Sequence, residues 1–272
     1  MKSAHQLAFL NLLFIIINSF WIIIVDDKKI YGLPIYDTFF DNWSFLTPHV
    51  ATFNIWKIII VTLVFTAVLY CIVLKREYAE DLPLAQKIED AGNLMILNQL
   101  LLGISMVLKV NNYLIAAYIF TFATYYTLHK LNIIFSIRDH KNPSFVHFFT
   151  RTSLGLYSGW FVYLLGFNGI PTLSSMFNER ADHPVFFYVA ILFLIGSFCF
   201  TLYKSFVCNL PAIMVGYTAG ILGSYYYNVS QGKEDVVYYI IMRYSFLTLL
   251  ILAILTIFYL LFKRRKTLMS LE

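Results

Sequence analysis

The chain has 272 residues, of which 60% are hydrophobic and 13% charged, with a net charge of +5 and a mean hydropathy of +0.71. A soluble domain of this length carries about 25% charged residues to cover its surface, so composition excludes an ordinary water-soluble fold. It points to an all-α, polytopic transmembrane helix bundle whose apolar exterior is solvated by the lipid bilayer.

Crossing about 30 Å of hydrocarbon takes about 20 apolar residues in a helix. Eight segments meet this length: 7–24, 53–74, 91–109, 112–130, 150–168, 185–203, 206–226 and 240–262. Met1-Lys2 before the first run resembles a signal peptide, but the run ends in Val25-Asp26-Asp27-Lys28 without a small-x-small cleavage site. It is read as a retained helix. The long connection 25–52 holds Tyr31, Tyr36, Trp43 and Phe45 and reads as a lid or as a set of interfacial anchors. Lys57 and Arg243, near helix starts, are placed to snorkel outward. The third and fourth spans are separated only by Val110 and Asn111 and must form a tight hairpin. Pro171 is expected to follow the fifth helix and Pro184 to precede the sixth, while Pro211 falls one turn into the seventh.

Lys and Arg divide 13 to 7 between the two sides, so both termini are expected in the cytoplasm, with the basic cluster 263–266 as a stop signal and anionic-lipid anchor. The same reading makes the net charge a loop property and expects no nucleic-acid partner. Cys71, Cys199 and Cys208 form no C-x-x-C pair, and the six histidines show no metal-ligand spacing, so no metal site is expected. Asn42-Trp43-Ser44 and Asn228-Val229-Ser230 are glycosylation-like triplets on the expected outer side. Asp, Glu and His are absent at mid-span, which argues against ion-coupled transport and carboxylate hydrolysis. No catalytic motif appears and no catalytic residue is assigned. Neutral polar residues do occur at depth, among them Asn18, Asn54, Thr121 and Thr124. Asn98-Gln99 stands out, because adjacent amides cannot share a helix face and at least one needs its own partner.

Several features follow one another in a recognisable order: Thr47-Pro48-His49-Val50-Ala51-Thr52-Phe53-Asn54-Ile55-Trp56 leading into the second helix, Leu97-Asn98 in the third, and Leu156-Tyr157-Ser158-Gly159-Trp160 with Asn168 in the fifth. This order resembles the TspO/MBR family, the tryptophan-rich sensory and translocator proteins. Leu156 stands where that family has proline and Leu101 where it commonly has tryptophan, and residues 171–272 exceed its length. The resemblance therefore implies a longer, divergent member: a five-helix core over 1–170 with a lid loop at 25–52, and a three-helix extension over 171–272.

The resemblance further implies a pocket for a flat hydrophobic molecule, a porphyrin or haem-like tetrapyrrole, for sensing, transport or turnover, with no cofactor required. Ligand-binding positions would be Trp56, Asn98, Tyr157, Trp160 and Asn168, and lid positions Trp43, Pro48 and Phe53. Lys28, Lys29 or Lys57 would meet the propionates. The expected setting is a bacterial cytoplasmic membrane, with a homodimer as the protein partner. The alternative readings are a permease for a small uncharged or lipidic solute, drawing on Asn209 or Tyr225 to Tyr227, and an accessory scaffold subunit.

Overall fold

The computed structural model describes residues 3–27, 37–38, 41–75, 82–140, 142, 144–231 and 236–269, with the side chains of 26, 27, 82 and 264–269 outside that description. Lys28 and Lys29, and most of loop 25–52 before residue 41, lie outside the described residues. Among those described, the protein is helical throughout and contains no strand. The helices are α1 (Ala4–Asp27), α2 (Ile55–Lys75), α3 (Leu82–Ala91), α4 (Leu94–Val110), α5 (Leu114–Ile134), α6 (Phe145–Phe177), α7 (Pro184–Cys208), α8 (Pro211–Ser230) and α9 (Val237–Met269), with a 3-10 turn at Val50–Asn54 before α2.

A helix lies on each of the eight predicted segments. Among the described residues four of them, α1, α2 (with its preceding turn), α7 and α9, are long and apolar enough to cross a membrane, and the bent pair α3–α4 is a fifth if the two count as one span. The protein is therefore an integral, multi-pass membrane protein. α5, α6 and α8 are not among these helices; they carry hydroxyls and amides that fold inward, such as Thr124, Thr127, Ser153, Ser224 and Asn228, all buried. The long helices show the opposite pattern on their outer faces. Tyr244, Ile251, Leu255, Phe258 and Phe262 of α9 are exposed, whereas Met242, Phe246 and Ala253 are fully buried. An apolar residue exposed in this way is stable only against lipid.

The sequence did not anticipate α3. It carries Lys87, Glu89 and Asp90 and ends at Gly92, whose φ of +51° suits a residue without a Cβ and whose N–H donates back to Ile88 and Glu89. α4 then starts at a 45° bend to α3. Pro171 does not end the fifth predicted helix but sits inside α6. A proline there removes the N–H that would meet the Phe167 carbonyl; nearby, Ser174 Oγ donates to the Pro171 carbonyl at 2.9 Å and Thr172 Oγ1 to the Asn168 carbonyl at 2.8 Å. Pro211, expected one turn in, is the first residue of α8, where a missing N–H costs nothing. Asn209 closes α7 in the left-handed conformation at φ +44°.

The chain divides into two compact units. The first comprises residues 1–38 and 56–154, the second residues 39–55 and 155–272. The division falls inside α6, between residues 154 and 155, whereas the division read from sequence falls after residue 170. It also takes the 41–55 segment away from the helices that flank it in sequence.

In the first unit, the predicted hairpin between α4 and α5 is present. Asn112, at φ +60°, and Tyr113 turn the chain, their N–H groups donating to the Lys109 and Leu108 carbonyls at 2.9 Å. α1 and α4 run parallel, since Asn18 meets Gln99 and Trp21 meets Gly103, both pairs advancing together. α2 runs antiparallel to the start of α6, where Tyr70 bonds Thr150 at 2.7 Å and Thr66 bonds Ser153 at 3.2 Å. Arg151, buried, donates from Nε to the Ile137 carbonyl at 2.8 Å and so holds the turn after α5.

In the second unit, α6 and α8 run parallel at glycine contact distance. A Cβ on Gly159 would fall on the Ile213 carbonyl, and one on Gly216 would fall on the Leu156 carbonyl. Gly220 faces the Tyr163 ring in the same way. Close backbone approach of this kind is how apolar helices associate where no water drives them together. α7 and α8 are antiparallel, joined through Ser197 Oγ and Tyr217 OH at 2.7 Å. Arg243, expected to snorkel outward, instead donates from Nε and Nη2 to the Asn228 carbonyl near the end of α8, at 3.3 and 3.1 Å. A cation there meets the negative end of the helix dipole.

Candidate functional site

The sequence-derived positions fall in both units. Trp56 and Asn98 belong to the first; Trp43, Pro48, Phe53, Tyr157, Trp160 and Asn168 belong to the second. Within the second, Phe53 meets the Trp160 ring edge-to-face at 6.1 Å, and Trp160 stacks on Tyr163 at 5.5 Å. Tyr163 stacks in turn on Phe167 at 6.3 Å. Trp160 and Tyr157 are both wholly buried. They lie on the α6 segment that packs against α8 through Gly159 and Gly216.

Residues 43–54 are ordered and docked on the second unit. Phe45, Leu46, Thr47 and Pro48 are buried. The Leu46 carbonyl accepts from Tyr163 OH at 2.7 Å and from Ser224 Oγ at 2.8 Å, and those two hydroxyls are 2.6 Å apart. Asn228 Nδ2 donates to the Phe45 carbonyl at 3.2 Å, and the His49 N–H donates to the Gly223 carbonyl at 3.0 Å. Trp43, half-buried, lies 6.1 Å from the Tyr239 ring. A connection carrying this many polar backbone groups can be buried only when they are paired, and residues of α6 and α8 supply the partners. Asn228, the first residue of one glycosylation-like triplet, thus has its side chain buried in this contact.

In the first unit, Asn98 sits at the centre of an amide chain. Its Nδ2 donates to the Thr124 carbonyl at 2.8 Å and to Thr127 Oγ1 at 2.9 Å, while its Oδ1 accepts from Gln99 Nε2 at 3.2 Å. Gln99 Oε1 accepts from Asn18 Nδ2 at 2.9 Å. Both adjacent amides thus find partners, one towards α5 and one towards α1.

This chain of amides borders a concavity that sequence reasoning did not assemble. A groove of about 370 Å³ runs between α1 and α4, walled by Phe14, Ile17, Leu100, Ile104 and Val107, with Asn18, Trp21, Gln99 and Gly103 also lining it. None of its ten lining residues is charged. A second hollow of about 550 Å³, lined by Leu10, Leu94 and Leu97 among others, shares Phe14 and Leu100 with it. The sequence signal was present in pieces, as Asn18 and Asn98-Gln99 at depth and Trp21 in the first span. Only the parallel pairing of α1 with α4 joins them.

Ionisable groups are sparse around both regions. At the start of α6, before its apolar stretch, His147 Nε2 lies 2.7 Å from the Asp139 carbonyl, which places the proton on that nitrogen. Burial pushes its pKa below the ordinary histidine value, the hydrogen bond opposes this, and the Lys87 and Arg151 charges add to the lowering. Among the described residues no cluster of three or more His, Cys, Asp or Glu side chains could hold a metal ion.

Fold and site together define a multi-pass α-helical membrane protein with an uncharged, open groove in its first unit. No family model matches the chain, and no curated protein or solved structure matches it either.

Proposed function

We propose that this protein crosses the membrane eight times and holds a hydrophobic small molecule in the groove between α1 and α4. The observation that carries the ligand reading is a concave apolar surface of drug-like size with a few convergent amides, the usual composition of a small-molecule site. Support for eight crossings comes from the alternation of helix direction within each unit: α1 parallel to α4 and opposed to α5, α6 parallel to α8 and opposed to α7. Lys and Arg counts then put both termini in the cytoplasm.

A tetrapyrrole is the narrower form of this reading, resting on the Trp and Tyr positions of the TspO/MBR resemblance. The groove wall has no cation to meet propionates, which favours a neutral ligand over an acidic one. The test is titration of the purified protein in detergent with protoporphyrin and, separately, with a brominated C18 chain, following tryptophan emission. Saturable quenching by at least one probe is expected, abolished in a Gly103→Leu variant that still elutes as folded protein. Quenching that does not saturate, or that is the same in Gly103→Leu, overturns the groove as the site.

A permease is the second reading. Ser205 Oγ and Asn209 Oδ1, one helical turn apart near the end of α7, are buried without a hydrogen-bond partner among the described residues, as a solute path in the second unit would require.

A further inference from the structure

The groove carries more chemical information than its apolar wall. Asn18 is 7% exposed, its Nδ2 is bonded to Gln99, and its Oδ1 has no hydrogen-bond partner among the described residues. That oxygen packs directly against the bare Cα of Gly103. A Cβ added to Gly103 would sit 3.0 Å from Asn18 Oδ1, 3.2 Å from Trp21 Cδ1 and 3.3 Å from Trp21 Nε1. Gln99, 4% exposed, uses one amide hydrogen on Asn98 Oδ1, and a primary amide has a second. The groove wall near this glycine therefore holds, among apolar residues, an acceptor without a partner and a primary amide with a hydrogen to spare.

Within hydrocarbon an unmet carbonyl oxygen is costly, because no bulk water can satisfy it. A lipid acyl chain would leave it unmet, and a carboxylate would set negative charge against it with no cation in the wall. A hydroxyl matches both groups, donating to Asn18 Oδ1 and accepting from Gln99 Nε2. Shape adds a second constraint. The two hollows share Phe14 and Leu100 and together follow α4 from Asn93 to Leu108, about 22 Å at 1.5 Å per residue. That is the outline of a chain rather than a disc.

Resting on the groove as the binding site, we infer that its ligand is a neutral, elongated apolar molecule bearing a hydroxyl, held through Asn18 Oδ1 and Gln99 Nε2 beside Gly103. The amides read the hydroxyl, and Phe14, Leu97 and Leu100 take the chain. Trp21 reports occupancy, because its ring borders the same glycine step.

The experiment compares three C18 probes of one brominated chain: the primary alcohol, the alkane and the carboxylate at pH 8. Binding is read as tryptophan quenching in the protein minus that in Trp21→Phe, in detergent. The alcohol should bind at least tenfold more tightly than the alkane and the carboxylate, and Asn18→Leu should bring alcohol and alkane within twofold of each other while alkane binding persists. Saturable binding with no preference for the alcohol, or a preference that survives Asn18→Leu, overturns the hydroxyl assignment and leaves the groove reading standing. No saturable binding of any probe overturns both, and a stable dimer in that case assigns the groove to a second copy of the chain.

Discussion

The two compact units solve the same problem, joining apolar helices without water to drive them together, by opposite means. The first joins its parallel pair, α1 and α4, through side-chain amides and leaves a groove between them. The second joins its parallel pair, α6 and α8, through glycines that bring backbone against backbone. It then adds an aromatic segment from far earlier in the chain, tied down at Phe45, Leu46 and His49. Side-chain hydrogen bonds hold helices at arm's length and so leave room; glycine contact removes it. The difference accounts for the groove in the first unit, while the aromatics Tyr157 and Trp160 of the second are wholly buried beside the glycine contact.

The comparison breaks most directly at the glycines. Gly159→Ala and Gly216→Ala each place a methyl on a facing carbonyl that belongs to a helix backbone and cannot rotate away. Each is expected to abolish folded protein or lower its melting temperature drastically, as measured by size-exclusion yield and thermal unfolding. Gly196→Ala, with nothing within 4 Å of the added atom, should leave both unchanged. If Gly159→Ala is as stable as Gly196→Ala, the close contact of α6 and α8 is wrong.

The hydroxyl pair that holds Leu46 should give a smaller effect. Tyr163→Phe or Ser224→Ala leaves a buried carbonyl with one donor instead of two, costing about 1–3 kcal/mol each. Because two hydroxyl hydrogens are shared over three contacts, Tyr163, Ser224 and the Leu46 carbonyl act as one unit and the double variant should depart from the sum. Additive losses in a thermal-denaturation cycle would separate the two contacts and leave the docking of residues 43–54 without a shared latch.

The smallest effect expected is at His147. Its folded pKa is depressed, so above about 6.5 the group is neutral in both states and makes no pH-dependent difference. Below that value the unfolded chain takes up the proton first, and stability falls with pH until the lowered folded value is reached. His147→Gln keeps a donor for the Asp139 carbonyl and should flatten the stability profile between pH 7 and 5. An unchanged acid limb would remove His147 from the account.

How much of this was legible beforehand depended on the range of the interaction. The α4–α5 hairpin was readable because Val110 and Asn111 leave no room for any other connection. The helix start at Pro184 was readable because proline suits the first turn. α3 was missed because its apolar residues are too few to register against a bilayer-length window. Pro171 misled because a proline costs a helix only one hydrogen bond, and the burial of Phe167, Ile170 and Ser174 around it carries α6 through. At the site, Asn98-Gln99 was recognised as a polar spot needing partners. Which amide keeps a free acceptor was not, since that depends on Asn18, 81 residues away.

Sequence alone determined that this is a helical, multi-pass membrane protein, where its apolar stretches lie, and that its interior would carry amides rather than charges. Those are properties of composition and of runs about 20 residues long, and the hydrocarbon enforces them on any chain. Tertiary structure alone decided that residues 41–55 pack with the C-terminal helices, that α6 is shared between two units, and that Asn18, Trp21 and Gln99 line one open groove. Each of these rests on which helices approach within a glycine's distance and which are held apart by an amide. A linear pattern of apolar residues specifies the face a helix buries, but not the neighbour it buries that face against.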